Sequence, residues 1–152
     1  MRAPAKPVAT WTRYLGAIAL LGVGLEHLEQ YSVDYYSEIP TIGTLFVLNF
    51  ASAALIAFGL LAPVQRLRGR AGQWAAPLLS VAGIGVAAGS LAGLLVSESS
   101  GLFGFTEVGY RSAIVLSIGL EVATIVLLSV HLAATPRPRA RAGRRKEATW
   151  PA

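Results

Sequence analysis

Along this chain, long apolar blocks alternate with short polar connections, and each block has the length that a helix needs to cross a bilayer. Crossing about 30 Å of hydrocarbon takes roughly 20 helical residues at 1.5 Å each. Four blocks qualify: residues 11–28, 41–62, 74–96 and 112–134. The last three are apolar on almost every face, which suits a helix in lipid and not one lying on a soluble core. No period-2 alternation in segments of about 10 residues runs through them, so a membrane β-barrel is not expected. The first block also suits the core of a secretory signal peptide, but Glu26-His27-Leu28-Glu29-Gln30 follows it without a small-x-small cleavage pattern. It is therefore read as a retained helix. The expected fold is all-α: an integral membrane four-helix bundle over residues 11–134, with a short leading segment 1–10 and a tail 135–152.

Charge gives the bundle a direction. Arg2, Lys6 and Arg13 lie at the start, Arg66, Arg68 and Arg70 in the second connection, and Arg137, Arg139, Arg141, Arg144, Arg145 and Lys146 in the tail. An even number of spans puts all of these on one side, and of the 13 basic residues only Arg111 falls on the other. Positive charge stays cytoplasmic during insertion, so both termini are expected to be cytoplasmic. Glu26, Glu29, Asp34, Glu38, Glu98 and Glu107 then fall towards the outer face. The tail is proline-broken, basic and without apolar periodicity, and is expected to be disordered. It reads first as a topology determinant and second as an electrostatic foot on anionic lipid. Nothing aromatic interleaves with its charges, so nucleic acid is not an expected partner.

Composition agrees with a lipid solvent. Of 152 residues, 54% are apolar and 14% charged, against about 25% charged in soluble domains. Cysteine is absent, which excludes disulfides, thiolate metal sites and cysteine nucleophiles. His27 and His131 stand near opposite membrane surfaces and cannot share one metal or one haem within a monomer. His27 with nearby carboxylates and Tyr31 matches no standard ligand spacing, so no metal site is predicted. No cofactor is identified, and His131 is expected to be interfacial.

Small and polar residues inside the blocks mark the packed faces. Gly85, Gly89, Gly93 and Ser97 form a small-residue stripe that predicts a close helix contact. Asn49, Ala53 and Ala57 share that spacing, which turns Asn49 towards other helices. Glu121 lies about 15 Å below Arg111, near the membrane midplane, with Ser117 and Thr124 on its face. Asn49 lies about 12 Å below Thr41, at similar depth. Glu26 and His27 reach the outer quarter of the bilayer; if the helix continues, Tyr31 and Tyr35 share the His27 face until Pro40.

An ionisable residue inside hydrocarbon is a functional candidate. Burial disfavours its charged form, so Glu121 is expected to hold a proton and donate a hydrogen bond. Two readings follow. The carboxyl either locks the helices together through Asn49, Ser117 or water, or serves as a proton-carrying or ligand-orienting acid in a pocket open to the outer leaflet. Glu26, His27, Asn49 and Glu121 are the candidate ligand-binding residues. The third connection, residues 101–111, is apolar for a loop, and reads either as a lid over the bundle mouth or as an interfacial anchor. Its candidates are Phe103, Phe105, Glu107 and Arg111, with Glu107 and Arg111 one turn apart if the segment is helical.

The motifs His27-x3-Tyr31-x3-Tyr35, Ile39-Pro-Thr-Ile-Gly-Thr-Leu-Phe-Val-Leu-Asn49 and Gly101-Leu-Phe-Gly-Phe-Thr-Glu107 resemble an uncharacterised family of small four-span bacterial membrane proteins, over residues 15–132. The resemblance implies that His27, Asn49, Glu107, Glu121 and the two turn motifs belong to the family pattern, and it carries no established activity. In size and four-helix layout alone the chain also resembles the DoxX-like membrane proteins, some of them linked to quinone or thiol redox chemistry; no motif maps onto them residue by residue.

Three functions are open. The first is a non-catalytic membrane component that binds a protein partner or a second copy of itself. The second is a lipid- or quinone-binding, redox-linked protein with an outer-leaflet pocket. The third is a small transporter or proton pathway through Glu121, although the spans show neither a repeat nor paired midplane interruptions. No nucleophile–base pair, phosphate-binding loop or metal triad points to an enzyme. Membrane lipid is the expected surrounding partner, and the bacterial cytoplasmic membrane the expected location.

Overall fold

The computed structural model describes residues 5–109 and 111–135. Four helices account for most of them: α1 (Ala5–Val33), α2 (Pro40–Leu61), α3 (Arg70–Ser100) and α4 (Ser112–Ala134). All four are long and apolar enough to cross a membrane, and the expected all-α four-helix bundle of a multi-pass membrane protein is what forms. The basic tail beyond residue 135 lies outside the described residues.

The second and fourth helices match the predicted blocks almost residue for residue, while α1 and α3 overrun theirs at both ends. Hydropathy marks the part of a helix that suits lipid; capping and backbone hydrogen bonding decide where the helix stops. In α1 the polar run Glu26-His27-Leu28-Glu29-Gln30 simply continues the helix to Val33. The break comes at Tyr35, which adopts a left-handed conformation (φ 65°) and is followed by a 3-10 turn over Tyr36–Glu38. Pro40 then opens α2, where its missing N–H costs nothing. Tyr35 therefore leaves the helical face it was expected to share with His27 and is 78% exposed, whereas Tyr36 turns inward at 5%.

The helix ends divide into two sets. The proximal end holds the start of α1, the α2–α3 connection and the end of α4; the distal end holds the α1–α2 and α3–α4 connections. The proximal half is closely packed. Ala17, Leu20, Ala53, Ala57, Leu60 and Leu128 are all fully buried and form one apolar cluster. Association in lipid depends on such close packing because lipid tails are as apolar as the helices themselves. Ala53 and Ala57 confirm the packed side predicted for α2, with Ala53 Cβ lying 3.0 Å from where a Cβ on Gly24 would sit. On α3 the tight contact is made at Gly83, where a Cβ would lie 2.9 Å from Leu128 Cδ1 and 3.0 Å from Leu20 Cδ2.

His131 stands in the last turn of α4, at the proximal end of the bundle. It is buried, and its Nδ1–H donates to the Ala9 carbonyl at 2.8 Å, tying the end of α4 to the start of α1. Nearby Arg13 is buried too, with its guanidinium 4.6 Å from the Tyr14 ring centroid.

One glycine fixes how α2 starts. A Cβ at Gly43 would lie 2.7 Å from the Tyr36 carbonyl oxygen and 3.1 Å from Tyr31 Cε2, and a backbone atom cannot yield as a flexible side-chain end can. Gly43→Ala should destabilise the protein by about 1–3 kcal/mol, the usual cost of overpacking. Gly89→Ala, which meets no atom within 4 Å, should be neutral or stabilising by up to about 1 kcal/mol through helix propensity. Equilibrium unfolding in mixed micelles compares the two.

Candidate functional site

The distal half of the bundle does not close. A cavity of about 370 Å³ lies between α2 and α3, floored by residues of α1 and α4 and roofed by the α3–α4 loop. The stripe expected to zip α3 against a neighbour forms one of its walls instead. A Cβ at Gly85 or Gly89 would meet nothing within 4 Å, and one at Gly93 would meet only Leu102 Cδ2, at 3.8 Å. Gly85 and Gly89 are exposed, as are Leu45 and Leu48 on the α2 side of the cavity. The cavity thus opens sideways between α2 and α3, onto the surface that faces lipid.

Its floor is a hydrogen-bonded chain that joins three helices. His27 Nδ1–H donates to the Val23 carbonyl at 2.8 Å, which leaves Nε2 of the neutral ring as an acceptor. That Nε2 lies 2.8 Å from Ser90 Oγ on α3. Ser90 and Ser117 both hydrogen bond to the carboxyl of Glu121, whose residue is only 2% exposed. The run His27–Ser90–Glu121–Ser117 therefore links α1, α3 and α4. Two proton arrangements fit it: neutral imidazole with protonated carboxyl, or imidazolium with carboxylate, the Ser90 hydroxyl reversing between them.

Of the four candidate ligand-binding residues, His27, Asn49 and Glu121 line the cavity and Glu26 does not. Glu26 is turned about 100° from His27 around the helix and shares a hydrogen bond with the Gln30 side chain. Asn49 and Glu121 face one space, as their depths suggested, but Asn49 Oδ1 is buried with no hydrogen-bond partner. Glu121 takes its bonds from Ser90 and Ser117. Sequence reasoning did not single out Ser90 or Gln30. The available signal was a set of isolated serines, Ser80, Ser90 and Ser97, in an otherwise apolar helix.

The roof is built around Tyr36. Its hydroxyl donates to Glu107 Oε2 and accepts from Arg111 Nη2 at 2.8 Å. Arg111 Nη1 also reaches Asp34 Oδ2 at 3.0 Å, and Glu107 N–H donates to Ser97 Oγ at 3.0 Å. The Tyr36 ring stacks on Phe46, centroids 4.5 Å apart, and meets Phe105 edge-on at 5.6 Å. Phe46 continues the aromatic line to His27 at 4.9 Å.

Among the loop candidates, Phe105 and Glu107 line the cavity. Phe103 points away at 69% exposure, and Arg111 stands outside on Asp34 and Tyr36. The loop is not helical over Glu107–Arg111, so their expected pairing loosens to 4.0 Å. Leu102 and Phe105 instead exchange both backbone hydrogen bonds, at 2.7 and 2.9 Å. Phe103 and Gly104 between them have φ of 51° and 81°, the positive values that a two-residue type I′ hairpin turn requires.

Among the described residues no group of three or more His, Cys, Asp or Glu could hold a metal ion. Fold and site together define a multi-pass membrane protein with a polar-floored cavity in one half of its bundle. No protein-family model, curated protein or solved structure matches the chain, so its function is argued from the site.

Burial first, then the hydrogen bond to Glu107 and its charge, push the Tyr36 phenol well above the usual tyrosine range, with Arg111 acting the other way. The folded protein then keeps this proton at a pH where the unfolded chain, titrating near about 10, loses it. The stabilisation is complete below about pH 10 and falls as pH rises further. Unfolding measured from neutral to strongly alkaline pH should show this loss, and Tyr36→Phe should reduce its slope.

Proposed function

We propose that this protein binds a small lipophilic molecule with a hydrogen-bonding head, taken sideways from the outer half of a bacterial cytoplasmic membrane. The observation that carries the reading is the cavity itself. Its volume, about 370 Å³, falls in the range of small-molecule sites, which are mostly apolar with a few converging polar groups. Its opening faces the hydrocarbon, so a ligand soluble in lipid reaches it without crossing water. The charge distribution supports an outward-facing distal end, since all but one of the basic residues belong to the proximal side. The motif resemblance supplies the bacterial setting.

Binding is favoured over conduction by what lies beneath the floor. Proximal to His27 and Glu121 the bundle is closed by the fully buried cluster of Leu20, Leu60, Leu128 and three alanines. A proton or solute route would have to breach this layer. No redox step is assigned, and the role is that of a non-catalytic membrane component, acting alone or within a larger assembly.

Filling the opening tests the reading. Native mass spectrometry from mild detergent should detect a bound small molecule on the unaltered protein, and Gly85→Leu/Gly89→Leu should lose it. Gly119→Leu is the control, because Gly119 is exposed, a Cβ there would meet nothing within 4 Å, and it lies outside the cavity. Equal occupancy in the filled-opening variant, or no bound molecule on the unaltered protein, would overturn the proposal.

A further inference from the structure

The polar groups of the cavity also specify a ligand class, given the binding reading above. The floor keeps a buried acceptor that no group of the protein meets. The His27 Nδ1–H is spent on Val23 and its Nε2 is met by Ser90 Oγ at 2.8 Å, while Asn49 Oδ1 is a buried acceptor with no partner. Glu121, when ionised, adds two acceptor oxygens, while Ser90 and Ser117 supply one hydroxyl proton each. A head rich in N–H donors completes this set; a carboxylate or phosphate head brings only further acceptors and leaves Asn49 unsatisfied.

Charge and aromatic content point the same way. The two carboxyl side chains on the lining are Glu107 and Glu121, and among the described residues no Lys or Arg lines the cavity. Arg111, above the roof, is held by Asp34, Tyr36 and Glu107. Tyr36, Phe46 and Phe105 contribute aromatic lining, the surface that attracts organic cations. Outside the cavity, Glu26, Glu29, Asp34, Glu38 and Glu98 against the single Arg111 give the distal end a negative field that concentrates cations near the opening.

We infer that the cavity takes a protonated lipophilic amine, its ammonium head on the Glu121 carboxylate beside Asn49 and its apolar body along the glycine wall of α3. Proton and amine compete for one carboxylate. Binding to protonated Glu121 exchanges its proton for the ammonium, R–NH3+ pairing with the carboxylate as one H+ leaves to solvent. Affinity rises with pH while the amine stays charged. The titratable groups that line the cavity with Glu121 are His27 on α1, Tyr36 in the turn before α2 and Glu107 in the roof; α2 and α3 present neutral Asn49 and Ser90.

The test uses four probes with one apolar body and different heads: octylammonium, octyltrimethylammonium, octanol and octanoate, titrated calorimetrically against the full chain in a non-ionic detergent. Octylammonium should bind at least about tenfold more tightly than octanol and octanoate, and more tightly than octyltrimethylammonium, which lacks N–H donors. Glu121→Gln should erase the advantage over octanol while octanol binding persists. Octanol or octanoate binding as tightly as octylammonium would sink the amine assignment and leave the binding reading standing, as would a preference retained in Glu121→Gln. Failure of all four probes would sink both. If Glu121→Gln does not fold, the order of heads on the unaltered protein decides alone.

Discussion

A carboxyl group set in hydrocarbon must find its hydrogen bonds inside the protein, because lipid offers none. Glu121 finds them on Ser90 and Ser117, and Ser90 in turn holds His27. This requirement fixes the rotation of α4 about its own axis and brings α3 and α1 to it. The same rotation puts Leu128, two turns further along α4, into the space left by the missing side chains of Gly83 and Gly16. One polar constraint and one small-against-large packing layer therefore share the same helix faces, the first acting in the distal half and the second in the proximal half.

The spans were legible because hydropathy and length are properties of local sequence, and the solvent that selects them is uniform along a helix. Helix ends were less so: α1 passes through Glu26–Gln30 without interruption because backbone bonding does not depend on apolarity. The face shared by His27 and Tyr31 was read correctly as far as the helix lasts. Extending the spacing to Tyr35 failed because one left-handed residue changes the direction of every side chain after it. Tyr36 was overlooked for the same reason. The glycine stripe misled more deeply. Small residues state only that a surface lacks side chains, which permits either a close neighbour or an empty groove. What faces Gly85 and Gly89 decides, and nothing in their own spacing encodes it. Ser90 was missed because a serine in an apolar helix can satisfy itself on its own backbone, as Ser80 does on Ala76.

The roof couples the two distal connections. Tyr36 belongs to the turn between α1 and α2, Glu107 and Arg111 to the loop between α3 and α4, and Ser97 to the last turns of α3. Arg111 is the basic residue that topology leaves on this side, and it is spent on Asp34 and Tyr36. Its guanidinium can meet both because it is a planar fork with several donors. The net effect is a mouth whose one cation is held by its own acids, over a floor on which Asn49 Oδ1 is the acceptor left without a partner.

An empty space of this size beside lipid is costly to leave unfilled, since its walls forfeit their dispersion contacts. Closing it by bringing α2 and α3 together gains little in a membrane, where helix association has no hydrophobic driving force of its own. Closure would also press Leu45 and Leu48 onto the glycine wall and would bring Asn49 Oδ1, already buried, no partner. On the binding reading, an occupant is the lower free-energy solution. An acyl chain restores the dispersion contacts along Gly85, Gly89 and Gly93 but reaches the floor with nothing to offer His27, Asn49 and Glu121. Selectivity among lipophilic molecules therefore has to come from the head, and the glycine wall, being featureless, leaves the apolar body free to vary.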